Sequence, residues 1–185
     1  MNERYSPANM ALHWAMAGVM IAGFVLGEIM EDMPRGPEKL TVMGWHVLAG
    51  LTIAALVIPR ILARLRGTPA LPPAMPLWER RLATAGHLVL YAVMLALPFT
   101  GLIAIITGGR AFPVLGLFEI PALGPVPGIH GGMETVHGIL SKLFLGTLVL
   151  HVLATLWHAL VRRDGIAGRM MPVRTRPEMS HNSLA

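Results

Sequence analysis

Four long apolar runs constrain this chain more than any other feature. They cover residues 8–30, 40–58, 82–106 and 135–161. Each is about 19–27 residues long, and ~20 helical residues cross a ~30 Å hydrocarbon core. Inside lipid every backbone N–H and C=O needs a partner within its own segment, so each run is expected to be a helix. Composition points the same way: 54% hydrophobic and 14% charged residues leave too few charges to cover a soluble surface. The expected fold class is therefore an all-α membrane protein, a four-transmembrane-helix bundle over residues 1–172 with a flexible tail at 173–185. The first run does not read as a cleavable signal peptide. It is too long, it lacks a small-x-small exit site, and Glu3 dilutes its basic start.

The net charge of +5 could suggest nucleic acid, but its distribution argues against that. Arg60, Arg64, Arg66, Arg80 and Arg81 fall between the second and third runs. Arg162, Arg163, Arg169, Arg174 and Arg176 follow the fourth, and Arg4 precedes the first. Only Arg35, Lys39 and Arg110 lie in the other two connectors. Such asymmetry places both termini and the 59–81 connector on the cytoplasmic side. Basic residues that flank membrane spans without interleaved aromatics are not a nucleic-acid surface. With no cysteine in the chain, disulfides, cysteine-ligated clusters and CxxCH haem attachment are excluded.

The apolar runs nevertheless carry histidines. His13 falls early in the first run and His46 in the second. His87 falls in the third, and His137, His151 and His158 in the fourth. Given the topology, His46 and His137 form an outer layer, and His13, His87 and His151 an inner one, with His158 at the inner edge. His151 lies about 21 Å deeper than His137, and His158 about 10 Å deeper again. Seven residues complete nearly two helical turns. His137, Phe144, His151 and His158 therefore form one slowly drifting stripe, which should face the bundle interior because imidazoles facing lipid are costly. A single membrane histidine is most often a hydrogen-bonded packing residue, but two layers of them on different helices suit two six-coordinate irons. Zinc or copper would ask for three or four close ligands, often with Cys, Asp or Glu. The outer layer offers only two, a shortage that a porphyrin's four nitrogens would make good. Small residues, Gly44, Gly50, Gly86, Gly138 and Gly146, serve helix contact and leave room for a flat macrocycle. Depth alone leaves His13 and His87 as equal candidates to partner His151.

Several segments resemble one family when taken in order: RYSPANMALHW, MGWHVLAG, HLVLYAVMLALPFTGL, GGRAFPVLGLFEIP, ETVHGILSKL and GRMMP. From about Tyr5 to Pro172 the chain is similar to bacterial cytochrome b561, the four-helix di-haem type of the inner membrane. The resemblance implies two non-covalent b haems with bis-histidine ligation, His13 and His151 on the inner haem and His46 and His137 on the outer. It also implies a ubiquinone site near His158, which the residues alone leave equally as a helix-end histidine favoured by the negative C-terminal dipole; they leave His87 as a quinone neighbour, a haem-ligand partner or a packing residue. The second ring nitrogen of each ligand is expected to donate to a carbonyl or side chain.

Some members of the family resemble superoxide oxidases, which take an electron from superoxide outside and reduce ubiquinone inside. A lysine within a span is a functional-site candidate, and Lys142 could meet superoxide or a haem propionate. Its blander alternative is to snorkel outward to the headgroups. Arg35, Lys39, Arg110 and Lys142 would form an anion-attracting patch only if the fold brings them together. The alternative function is a membrane-anchor and electron-relay subunit for a partner dehydrogenase or hydrogenase, docked through the apolar 107–134 loop. A histidine-lined metal transporter would want mid-membrane acids that the spans lack. Trp14 and Trp157 are expected as interfacial anchors or walls of the quinone pocket, His130 as a surface residue of the outer loop, and His181 as a tail residue without a role. Pro98 removes a backbone donor within the third helix and is a candidate kink.

Overall fold

The computed structural model describes residues 4–67 and 75–171. The 173–185 tail, with His181, Arg174 and Arg176, lies outside the described residues, as does the middle of the 59–81 connector. Four helices are long and apolar enough to cross a membrane: α1 (Pro7–Asp32), α2 (Pro37–Leu65), α3 (Leu77–Thr107) and α4 (Pro127–Trp157). A five-residue π-helical turn (His158–Arg162) continues α4, and a 3₁₀ turn (Ala167–Met170) follows. Proline stands at the first turn of α1, α2 and α4, where its missing N–H would be unpaired anyway. Ser6 caps α1 by accepting from the Asn9 N–H at 3.3 Å.

All four helices outrun their apolar cores, because hydropathy registers the lipid span and a helix continues into polar flanks. Two placements change as a result. Arg60 and Arg64 are not in a connector but inside the last turns of α2. The 107–134 segment is not an open loop. It holds an antiparallel hairpin of β1 (Phe112–Val114) and β2 (Phe118–Ile120), paired Phe112↔Ile120 and Val114↔Phe118, and then the first two turns of α4. α3 runs unbroken through Pro98.

Helices adjacent in sequence pack against one another, and the ring of Phe24 meets that of Phe144, at 6.2 Å between centroids, to close α1 onto α4. One end of the bundle carries the hairpin, and the other carries the start of α1 and the end of α4. Each end has its own apolar cluster. Met16, Ile53 and Val57 centre the cluster in the termini-side half, packed by Met20, Tyr91 and Met94. Phe112, Val114 and Ile120 seat the hairpin on Met43, Val47, Leu102 and Ile106. At the hairpin tip Leu115 and Gly116 both take left-handed conformations, φ 53° and 72°. For leucine that conformation costs on the order of 1 kcal/mol or more. Packing holds it: a Cβ on Gly44 of α2 would lie 2.8 Å from Leu115 Cδ2. The many exposed leucines, isoleucines and valines on the outer faces of the helices are the surface a bilayer would cover.

Candidate functional site: two layers of imidazoles

The His137–Phe144–His151 stripe faces inward. Phe144 is buried at 3% exposure, and the rings of His137 and His151 meet rings from other helices. The structure thus brings the histidines together at two heights, about 21 Å apart by helix rise along α4.

The hairpin-side layer holds His46 of α2 and His137 of α4, with ring centroids 5.9 Å apart. Two imidazoles sharing one metal through bonds of about 2 Å would set their centroids roughly 6.2 Å apart, with each centroid ~1.1 Å behind its nitrogen. His46 Nδ1 donates to the Gly23 carbonyl at 2.8 Å. His137 Nδ1 lies 3.1 Å from both the Leu97 carbonyl and the Thr100 hydroxyl. Those bonds put the proton on Nδ1 and leave Nε2 free as a metal ligand. Each ring also rests over a glycine of a neighbouring helix. A Cβ on Gly27 would lie 3.3 Å from His46 Cε1, and one on Gly101 would lie 3.3 Å from His137 Cε1. A cavity of about 760 Å³ opens between the two rings, within the size range of small-molecule and cofactor sites. A flat porphyrin fits this donor set, this spacing and this space.

Lys39, Arg110 and Lys142 line that cavity together with Glu28, Glu31 and Glu134. Three of the four basic residues expected to form a patch are therefore neighbours, Arg35 is not among the lining residues, and carboxylates offset them. His130 keeps a partly exposed side chain but does not stand in a loop. It lies in the first turns of α4, donates from Nδ1 to the Ala104 carbonyl at 2.8 Å, approaches Glu134 at 3.5 Å and lines the same cavity.

The termini-side layer holds three rings. His151 stands 6.3 Å from His13 and 5.6 Å from His87, centroid to centroid. His87 Nδ1 donates to the Ala83 carbonyl one turn back, at 2.6 Å, which leaves its Nε2 free. At His13 the expected acceptor, a carbonyl or a side chain, is not found among the described residues. Its Nδ1 faces the Arg60 guanidinium at 3.4 Å, a group that can only donate. Arg60 is buried at 7% exposure and Asn9 at 5%. Arg60 donates to the Asn9 carbonyl and, at 3.2 Å, to Asn9 Oδ1, while Asn9 Nδ2 donates to the Ala63 carbonyl at 3.3 Å. Sequence reasoning missed this cluster because it counted Arg60 as a connector charge. The signal was there: His46, Ile53 and Arg60 repeat on α2 the seven-residue spacing of His137, Phe144 and His151 on α4.

His158 stands apart from both layers on the π-helical turn, with Nδ1 2.5 Å from Asp164 Oδ2. Asp164 Oδ1 also accepts the Ile166 N–H at 3.2 Å. Burial tends to raise the Asp164 pKa, but the bonds from His158 and Ile166 prevail and hold its carboxyl below the usual carboxylate range. The segment that follows folds back on α1: Trp14 Nε1 donates to the Met170 carbonyl at 2.8 Å, and the Tyr5 N–H to that of Arg169 at 3.3 Å. Trp14 also meets the His13 ring edge-on at 5.3 Å, and both Trp14 and Trp157 are half exposed.

A family model described as prokaryotic cytochrome b561 matches residues 4–173. Cytochrome b561 homolog 1 of Escherichia coli (strain K12) is 26% identical over 93% of this chain and 99% of its own length. The probable superoxide oxidase CybB of Yersinia pestis is 29% identical over 93% of this chain and 98% of its own. Cytochrome b562 of Cereibacter sphaeroides is 27% identical over 92% and 96%, respectively.

Proposed function

The chain belongs to the prokaryotic cytochrome b561 family, multi-pass inner-membrane proteins that transfer electrons and bind haem b, and from that premise we propose a di-haem superoxide:ubiquinone oxidoreductase. The observation that carries this reading is the pairing of imidazoles from separate helices at two heights, 5.9 Å and 6.3 Å between ring centroids. His46 and His137 would hold one haem; His151 would hold the other with His13, whose Nε2 is released to a metal once Arg60 no longer donates to its Nδ1, and His87, whose Nε2 is already free, would stand beside them. The haems would supply one-electron chemistry at potentials tuned by ligands and burial.

The chain's own residues do the rest. Gly23, Leu97 and Thr100 orient the hairpin-side rings. Lys39, Arg110 and Lys142 line the hairpin-side cavity with Glu28, Glu31 and Glu134, so that superoxide, an anion, would be met by direct contact with these three cations rather than drawn in by a net positive field. The hairpin end would then face the periplasm. Superoxide would give up one electron there and leave as dioxygen; two such electrons and two protons convert a ubiquinone to the quinol at the cytoplasmic end. His158 would hydrogen-bond a quinone carbonyl through Nε2 and pass it a proton, its Nδ1 held by Asp164. The name of the Yersinia relative supports the choice of donor.

A second reading keeps the haems and moves the substrate chemistry to a partner dehydrogenase or hydrogenase. Leu117, Phe118 and Leu123, exposed on and after the hairpin, favour it as a docking face. One preparation separates the two. The purified protein should show b-type haem bands and reduce a ubiquinone analogue when superoxide is generated. Bands without superoxide-driven reduction would favour the relay subunit, and a sample without bands would refute both readings.

A further inference from the structure

The two haem sites proposed above differ in the charge around them, and that difference can give electron flow a direction. Arg60 is a buried cation without a carboxylate partner among the described residues. Its contacts are one carbonyl, one amide oxygen and the His13 ring. The carboxylates described at this end of the bundle are engaged elsewhere, Glu79 by Arg162 and Asp164 by His158. A second cation, Arg64, stacks on the Tyr91 ring 5.7 Å away, one turn further along α2. The hairpin-side cavity is balanced instead, with Lys39, Arg110 and Lys142 against Glu28, Glu31 and Glu134. There both ring Nδ1 atoms donate to oxygen acceptors, which makes each imidazole a stronger electron donor and favours the oxidised metal. A buried cation whose described contacts are all neutral, by contrast, acts over a low dielectric and favours whichever neighbouring state is less positive.

We propose that Arg60 is a positioning residue for electrons: its fixed charge raises the reduction potential of the termini-side haem above that of the hairpin-side haem and so drives transfer from the hairpin end to the termini end. One electron leaves the first site and enters the second, and no proton or atom moves with it. The inference rests on the two-haem reading, and the test separates the two.

The holoprotein is titrated potentiometrically, with the haem bands of each site followed, as wild type, Arg60→Gln, Arg60→Lys and Asn9→Asp. In Arg60→Gln the equilibrium constant for moving one electron to the termini-side haem falls about tenfold, which is 59 mV for a one-electron couple. Asn9→Asp moves it in the same direction without touching the arginine, because it sets a carboxylate where Oδ1 already lies 3.2 Å from Nη1, while it gives up the Nδ2–H bond to the Ala63 carbonyl. Arg60→Lys stays within about twofold of wild type, since the charge is kept, and the hairpin-side haem does not shift in any variant. Equal shifts in the lysine and glutamine variants, an unmoved Asn9→Asp, or loss of the termini-side haem from Arg60→Gln would each overturn the proposal by making Arg60 a structural residue. Wild-type protein without haem would refute the two-haem reading itself.

Discussion

The hairpin-side and termini-side layers are built from the same four helices by different rules. At the hairpin end two rings meet, each with Nδ1 at a backbone carbonyl, each over a glycine of another helix. At the termini end three rings meet, one of them facing a guanidinium. The first arrangement is a socket whose geometry the backbone dictates. The second is a charged cluster whose ligands have an alternative. A pair with no spare should fail completely when one ring is removed, whereas a triad holds one ring more than its metal would need, so that only the loss of that third ring should spare the haem.

The largest effects test that contrast directly. His137→Ala or His46→Ala should remove one haem of the two, read as a halved haem content per chain. His151→Ala should do the same at the other layer, because its ring is the one that both His13 and His87 approach. His13→Ala should also cost a haem, while His87→Ala should retain both with a shifted absorption band. The reverse pattern would make His87 the ligand, with His13 the polarised neighbour beside Arg60.

A smaller effect probes the glycine socket. Gly101→Ala and Gly27→Ala place a Cβ 3.3 Å from the rings of His137 and His46, respectively, which must then give by a few tenths of an ångström. A strain of about 1 kcal/mol would weaken haem retention at the hairpin-side site roughly fivefold. Gly86→Ala, beside His87 but with nothing within 4 Å of the new Cβ, should leave haem retention unchanged. Measured haem loss during dilution would sink the socket idea if all three variants behaved alike.

Much of this was legible in the sequence, and the reason is periodicity. Hydropathy located the four spans, and seven-residue spacing placed His137, Phe144, His151 and His158 on one stripe, in which Phe144 is indeed buried while His158 falls on the π-helical turn, apart from both layers. Depth alone put His46 with His137. What stayed hidden depends on contacts between segments remote in sequence. Nothing local to Gly23, Leu97 or Thr100 announces a ring nitrogen from another helix, nor to Gly44 that Leu115 will pack on it. Arg60 was hidden for another reason. An arginine after an apolar run reads as a flank charge, and only its seven-residue step from Ile53 reveals that it turns inward. The hairpin escaped because three-residue strands carry too little pattern to separate from a Pro- and Gly-rich loop.

The smallest effect concerns the termini end beyond the layers, where the chain folds back from Asp164 to Met171. Asp164 holds this return through His158 and the Ile166 N–H, and its carboxyl titrates below the usual range. A carboxylate with a depressed folded pKa stabilises the fold fully above its unfolded value of about 3.9 and loses that contribution as pH falls through the lower folded value. Docking of residues 164–171 should therefore not respond to Asp164 protonation between pH 5 and 8, and should loosen only in acid below about pH 4. The pair is partly exposed, so its effect on global stability should be under about 1 kcal/mol. Amide exchange across residues 164–171 is the sensitive readout. Asp164→Asn should raise exchange there at neutral pH and leave the haem spectra of both layers as they are. If it shifted the termini-side haem, the return segment would have to be counted as part of that layer, and the contrast between the two ends would widen from three rings and one cation to the whole cytoplasmic-end assembly inferred above.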